Sequence, residues 1–419
     1  MNLPYLVFSD RKGNIYQHPF LRMAASAGHK LICPASHELI SLPQGSTFFY
    51  LPGRLPVGFD TQANKFQVVE KFQGKEVFAL SVFMPPAYLR LYNPAALVKK
   101  KTVLPLWAYT ACGVNGSRWY ASAVRVDRRV RQSPRFYDDR IIKKNVKVFL
   151  DKFPGNRLYE HLSYCALNYN CLAAKNLFMT RWEAPLPTSQ SCNARCLGCL
   201  SYQDSECLPS HQRINFRPQV NEIVEVMAHH LKLAPEAIVS FGQGCEGEPL
   251  LEADIIAESV HILRKNLSRG TINVNTNASL PKKIELLCKA GVDSFRVSLS
   301  SPQPKDYNAY FRPKKYSFGD VIASIDTAKK YKKFVSINLF VFPGFTDSKE
   351  QIESLVKLIK SKNINMVQLR NINIDPELYL SVLKKKRFNP QGIISLIEKI
   401  KRCCPGLKIG YFNLPKEQF

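Results

Sequence analysis

Apolar positions follow two different rhythms along this chain, and the change falls near residue 190. Beyond it, short β-branched runs alternate with amphipathic stretches. The runs are "AIVSF" (237–241), "TINVN" (271–275), "SFRVSL" (294–299), "FVSINLFVF" (334–342) and "INMVQLR" (364–370). Between them lie "LEADIIAESVHILRKN", "PKKIELLCKAG", "FGDVIASIDTAKKY" and "KEQIESLVKLIK". In the first of these, Ile255, Ile256, Ser259, Val260 and Leu263 recur at helical spacing and share one face. The second opens with Pro281 in its first turn and stops at Gly291, a start and a stop with a physical cause at each end. Further helical patterns flank the set at 218–231 and 391–402. Strands alternating with helices predict parallel pairing through right-handed crossovers. Five strands, with one more leading toward residue 190, predict an α/β fold: a partial (β/α)6 TIM-like barrel over 181–402. Periodicity alone leaves a flat doubly wound sheet open.

Residues 1–180 predict a basic, strand-rich α+β accessory domain. Extended segments rich in Phe, Tyr and Val are broken by Pro and Gly, as in "STFFYLPGRLPVGFD", "FQVVEKFQGKEVFALSVF" and "LPLWAYTACGVNGSRWYASAVRVD". The "GVNG" at 113–116 reads as a hairpin turn. A helical stretch is expected up to residue 176. The Pro-rich "EAPLPTS" (183–189) marks the junction, and 403–419 reads as a C-terminal tail.

With 419 residues, more than one domain is expected. Composition is ordinary for a globular protein, 45% hydrophobic and 22% charged. No apolar run approaches the ~18 residues of a membrane span, and the N-terminus lacks the pattern of a signal peptide. The expectation is a cytoplasmic enzyme with no membrane partner. A net charge of +26 favours acidic partners such as nucleic acid, anionic cofactors or acidic electron-transfer proteins. Nine Lys or Arg fall in 125–147, together with Phe136 and Tyr137, a mixture suited to RNA but also to a solvated face.

Twelve cysteines sit unevenly along the chain. In "SQSCNARCLGCLSYQ" (189–203), Cys192, Cys196 and Cys199 are spaced C-x3-C-x2-C. A structural zinc site closes with four ligands, whereas a cubane iron–sulfur cluster held by three thiolates keeps one iron open. A zinc knuckle or an electron-carrier cluster completed by Cys207 or His211 is the alternative reading from spacing.

"CNARCLGC", followed one strand–helix unit later by "SFGQGCEGEPLL", resembles the radical S-adenosylmethionine (radical SAM) enzymes over roughly 180–402. The resemblance implies that Cys192, Cys196 and Cys199 hold a [4Fe–4S] cluster whose open iron chelates S-adenosylmethionine. One-electron cleavage then gives a 5′-deoxyadenosyl radical that takes hydrogen from a substrate, and an acidic flavodoxin or ferredoxin supplies the electron. Gly247, Glu248 and Pro249 match the family's motif for the methionine amino group, with Glu246 where Gly is usual. "NVNTNAS" resembles the third-strand motif through Thr276 and Asn277, with Ala278 in place of Gly. Ser298 matches the fourth-strand serine, with Ser300 where Asp is frequent. Asn338 and Gly344 match the fifth strand and its turn. Gly198 replaces the common aromatic before the third cysteine, which leaves Tyr202 or Leu200 for adenine. The implied cofactor contacts are thus Gly247, Glu248, Thr276, Asn277, Ser298 and Asn338. The substrate is unassigned: a small molecule or peptide, or alternatively RNA.

Cys165 and Cys171 read as packed thiols, with an auxiliary cluster joined by Cys112 or Cys207 as the alternative. Cys245 reads as a packed loop residue, with a radical relay as the alternative. Arg370, Asn371 and Asn373, past the last strand, are candidates for binding a substrate carboxylate or phosphate.

Overall fold

The computed structural model describes residues 3–100, 102–203, 209–383 and 388–419. The chain folds into two compact units that do not follow chain order. One comprises Met1–Arg128, Phe340–Val356 and Leu369–Gly406; the other comprises Arg129–Leu339, Lys357–Gln368 and Leu407–Phe419.

The first unit is built on an antiparallel sheet. Its strand Tyr5–Ser9 pairs with Ile15–Met23, Phe78–Phe83 and Cys112–Asn115. Alternate residues of that strand face two cores: Val7 packs with Leu80, Val82, Cys112 and Val114, while Leu6 and Phe8 pack with Leu21 and Val77. The hairpin read at 113–116 is present. Asn115 stands opposite Arg118, and the two-residue turn between them begins at Gly116 with φ +60°. A buried ion pair, Arg54 Nη2 to Asp375 at 2.9 Å, ties this sheet to the later segment of the same unit. The Asn371 amide accepts from Arg90 N and donates to Tyr88 O, both at 2.9 Å. That side chain, a candidate for substrate binding in the sequence, therefore holds backbone instead. Cys112 lies in this unit's core, its thiol pushed up to about 12 by burial.

A seven-stranded parallel sheet runs in chain order: Glu183–Pro185, Ile238–Phe241, Thr271–Thr276, Ser294–Leu299, Phe334–Val341, Met366–Asn371 and Lys408–Gly410. The five predicted strands are present, as is the one leading into the cysteine loop. Lys408–Gly410, in the segment read as a tail, adds a seventh; three residues are too few to carry a readable period. Helix Pro281–Ala290 ends as expected at Gly291, with φ +110°.

Side chains along these strands alternate between an apolar face and a polar one. Val239, Ile272, Val274, Phe295, Val297, Val335 and Ile337 are buried apolar residues, and Ser240, Asn273, Ser294, Arg296, Ser336 and Asn338 fall between them. The polar set is joined by hydrogen bonds. Ser240 Oγ donates to Glu183 at 2.7 Å, Asn273 to Ser240 at 3.1 Å, and Ser294 to Asn273 at 2.9 Å. Asn413 donates to Glu183 at 2.8 Å, and Gln368 donates to Asn413 at 2.8 Å. Glu183 is on the first strand and Gln368 on the sixth. In a flat sheet, five spacings of about 4.8 Å would keep them roughly 24 Å apart. One asparagine bridges them, so the sheet is curled, with its polar face inside. This excludes the flat alternative and gives the expected partial barrel.

Three helices precede the barrel in the second unit: Asp139–Lys152, Arg157–Leu167 and Leu172–Phe178. Asp138 and Asn156 cap the first two through their side chains. The basic stretch is partly structural. Arg131 is buried, donating to Asn413 O at 2.8 Å and to Glu236 at 3.1 Å, whereas Lys143, Lys144 and Lys147 are exposed. Among the described residues, no helix is long and apolar enough to cross a membrane.

Candidate functional site: a three-cysteine loop at the strand ends

The loop carrying Cys192, Cys196 and Cys199 leaves the carboxyl end of strand Glu183–Pro185. It is held there by the next two strand-end loops, where α/β folds build their sites. Gly247 N donates to Ser189 O at 2.7 Å, and Glu248 N donates to Ser191 O at 2.8 Å. A Cβ on Gly247 would lie 1.9 Å from Ser191 O, so only glycine permits this approach.

Glu246, which departs from the family pattern, has a structural task. Its carboxylate accepts from Thr188 N (2.8 Å), Thr188 Oγ1 (3.1 Å), Ser189 N (3.1 Å) and Gln243 N (3.3 Å), and also from Gly242 N. It clamps the start of the cysteine loop to the turn after the second strand. Burial still pushes it up to about 7 against these donors.

Glu248 accepts from Asn277 N (2.8 Å), Leu250 N (3.1 Å) and the Thr276 hydroxyl. Burial raises it, too, to about 7. Asn277 donates to Asn193 Oδ1 at 2.8 Å, and Asn193 donates to Ser279 at 2.8 Å. Gly247, Glu248, Thr276 and Asn277 are thus drawn together with the cysteine loop. Ala278 adopts φ +57°, the left-handed region that explains why glycine is usual there. Ser298 and Asn338 stand side by side in register on neighbouring strands.

Burial pushes the Cys192 thiol up to about 12, aided by the charge of Glu248. It also raises Cys196 well above its ordinary value, and Cys199 and Cys192 reinforce the effect. These thiols ionise together only against a cationic group. Arg213 is placed to help: its guanidinium donates to Cys199 Sγ at 3.6 Å. The carbonyls of Phe311 and Tyr310 accept from Arg195 N (2.9 Å) and Leu197 N (3.0 Å) and so fix the far side of the loop. A shallow groove beside it is lined by Arg195, Arg312, Lys314 and Lys315.

Two buried polar atoms near the ends of the fourth and fifth strands, Asn338 Oδ1 and Ser300 Oγ, have no hydrogen-bond partner among the described residues. Leaving such atoms unpaired costs roughly 1–3 kcal/mol each. Two desolvated thiols with a third on the same loop, a glycine cradle and two orphaned oxygens fit a soft metal cluster with a polar ligand beside it.

Some residues sit elsewhere than the sequence reading had them. Tyr202 is 53% exposed, with Arg213 over its ring at 5.2 Å. His211 stacks on Tyr169, with ring centroids 6.2 Å apart. Cys207 lies outside the described residues. Cys165 and Cys245 lie together, joined by His161. Missed in the sequence were Glu246, Asn193 and the polar alternation inside the strands. The Asn and Ser residues two apart in "TINVN" and "FVSINLFVF" were the available signal.

Fold and site define an α/β partial-barrel protein with a three-cysteine loop at its strand ends. Residues 186–359 match the model of the Radical SAM superfamily. Enzymes of that superfamily use an iron–sulfur cluster and S-adenosylmethionine. The chain is 32% identical over 165 residues to a GTP 3′,8-cyclase of Corynebacterium glutamicum (37% of this chain, 40% of that protein). It is 29% identical over 225 residues to a mitochondrial GTP 3′,8-cyclase of Arabidopsis thaliana (52% of each). A probable dual-specificity RNA methyltransferase RlmN of Petrotoga mobilis is 33% identical over 138 residues (31% of this chain, 39% of that protein). The chain thus spans about half or less of these relatives' lengths.

Proposed function

We propose that this protein is a radical SAM enzyme in which Cys192, Cys196 and Cys199 hold a [4Fe–4S] cluster and S-adenosylmethionine binds beside it. The observation that carries the reading is the direct pairing of the cysteine loop with Gly247–Glu248 and with Asn277. When bound, this pair of cofactors supplies one-electron cleavage of a sulfonium C–S bond and hydrogen abstraction from a substrate. The chain's own residues prepare the site. Arg213 offsets the charge of the Cys199 thiolate. Gly247 keeps backbone close to the loop, and Glu248 fixes Thr276 and Asn277 rather than reaching outward itself. Asn338 Oδ1 offers a desolvated acceptor suited to an ammonium, with Ser298 alongside. The polar lining of the curled sheet favours a polar substrate.

A small molecule or peptide is the substrate class we favour, and GTP is the first candidate to test because two of the relatives named above are GTP 3′,8-cyclases. The groove of Arg195, Arg312, Lys314 and Lys315 suits an acidic flavodoxin or ferredoxin as electron donor. RNA is the second reading. It rests on exposed Lys143, Lys144 and Lys147 on helix Asp139–Lys152, and it requires steeply salt-dependent binding.

The test is anaerobic incubation with reductant and S-adenosylmethionine, following 5′-deoxyadenosine. The wild type is expected to produce it and Cys196→Ala to produce none. Equal production by both would refute the assignment.

A further inference from the structure

A second thiol cluster stands apart from the cysteine loop. His161 and Cys165 lie one helical turn apart on Arg157–Leu167, and Cys245 comes from the loop after strand Ile238–Phe241. One ligand atom from each falls within 4.8 Å of the other two. Cys165 Sγ is 3.6 Å from His161 Nε2. Cys165 and Cys245 are 1% and 3% exposed.

We infer that His161, Cys165 and Cys245 form a binding site for a single zinc-class ion, distinct from the cysteine loop. A zinc–sulfur bond of about 2.3 Å in a tetrahedral shell places ligand atoms roughly 3.5–4 Å apart. The observed grouping needs only a slight contraction to meet this. The donor set, two thiolates and an imidazole, is soft and suits zinc over hard cations. Spacing at i and i+4 puts His161 and Cys165 on one helical face, so two ligands arrive preorganised.

On binding, each thiol releases its proton to solvent and the imidazole binds neutral, with no change of oxidation state. The backbone around the site is already fixed, since Cys245 O accepts from Ile214 N at 2.8 Å. An ion there fastens helix Arg157–Leu167 to the loop that carries Gly247 and Glu248. Cys171, with its N bonded to Cys165 O at 3.0 Å, stands outside the group of three.

The test uses the full chain purified anaerobically, incubated with zinc alone and desalted. Zinc, iron and sulfide are then measured on wild type, His161→Ala, Cys165→Ser and Cys245→Ser. The expected result is one zinc per wild-type chain, at least a fivefold loss in each variant, and unchanged iron and sulfide. Zinc-edge absorption on the wild type serves if a variant misfolds; two sulfur neighbours at about 2.3 Å and nitrogen or oxygen at about 2.0 Å are expected. Wild type without retained zinc, zinc indifferent to all three substitutions, or three sulfur neighbours would overturn the site. Because iron and sulfide report separately on Cys192, Cys196 and Cys199, failure here is distinguishable from failure of the radical SAM reading.

Discussion

The second unit holds two thiol clusters built in opposite ways. Cys192, Cys196 and Cys199 come from one short loop; His161 and Cys165 come from one helix and Cys245 from a distant loop, with one ligand atom of each within 4.8 Å of the others. The first set is local in sequence, and the second is assembled only by folding. What separates them is the scaffold. The loop is held by backbone bonds with Gly247, Glu248, Phe311 and Tyr310, whereas the second set is formed by a helix face against a fixed turn.

The sharpest way to break this contrast is to remove what holds the loop. Gly247→Ala places a Cβ 1.9 Å from Ser191 O, so the pairing must open. Cluster iron is expected to fall at least tenfold, and stability by on the order of 2–4 kcal/mol in a denaturant titration. A variant that keeps full iron would show that the cysteine loop does not depend on this approach.

Glu246 gives a pH signature. Burial holds it near 7, above its unfolded value of about 4.5, so the folded chain binds that proton more tightly. Its contribution to stability is complete below about pH 4.5 and is lost as pH rises through about 7. Melting temperature is expected to fall more steeply from pH 5 to 8 in the wild type than in Glu246→Gln. The difference amounts to at most about 1.4 kcal/mol per pH unit. Parallel curves would remove Glu246 as the clamp.

Asn338→Ala is expected to raise the KM for S-adenosylmethionine about tenfold, or ~1.4 kcal/mol, with kcat and melting temperature nearly unchanged. The orphaned Oδ1 makes no intramolecular bond to lose. A fall in melting temperature with constant KM would mark the residue as structural. Smallest is Lys315→Glu in the basic groove. We expect about a threefold loss of rate with a flavodoxin donor at low salt and none with dithionite. An equal effect with both donors would remove the groove as a docking surface.

Much of the site could be read in the sequence because it is local. Three thiols on one loop, and a Gly-Glu pair past a strand, announce themselves by spacing. Thr276 and Asn277 were legible in "TNAS", but their task was not, since Glu248 reaches them through folding. Glu246 looked like a departure from a motif, and only its five donors reveal a clamp.

The sequence by itself determined the order of strands and helices, the three-cysteine loop and the resemblance that loop carries, because hydrophobic period and ligand spacing are properties of neighbours along the chain. Tertiary structure alone decided that the sheet curls, since Asn413 bridges Glu183 and Gln368. It alone brought Cys245 to His161 and Cys165, because contacts between residues far apart in sequence leave no periodic trace in it.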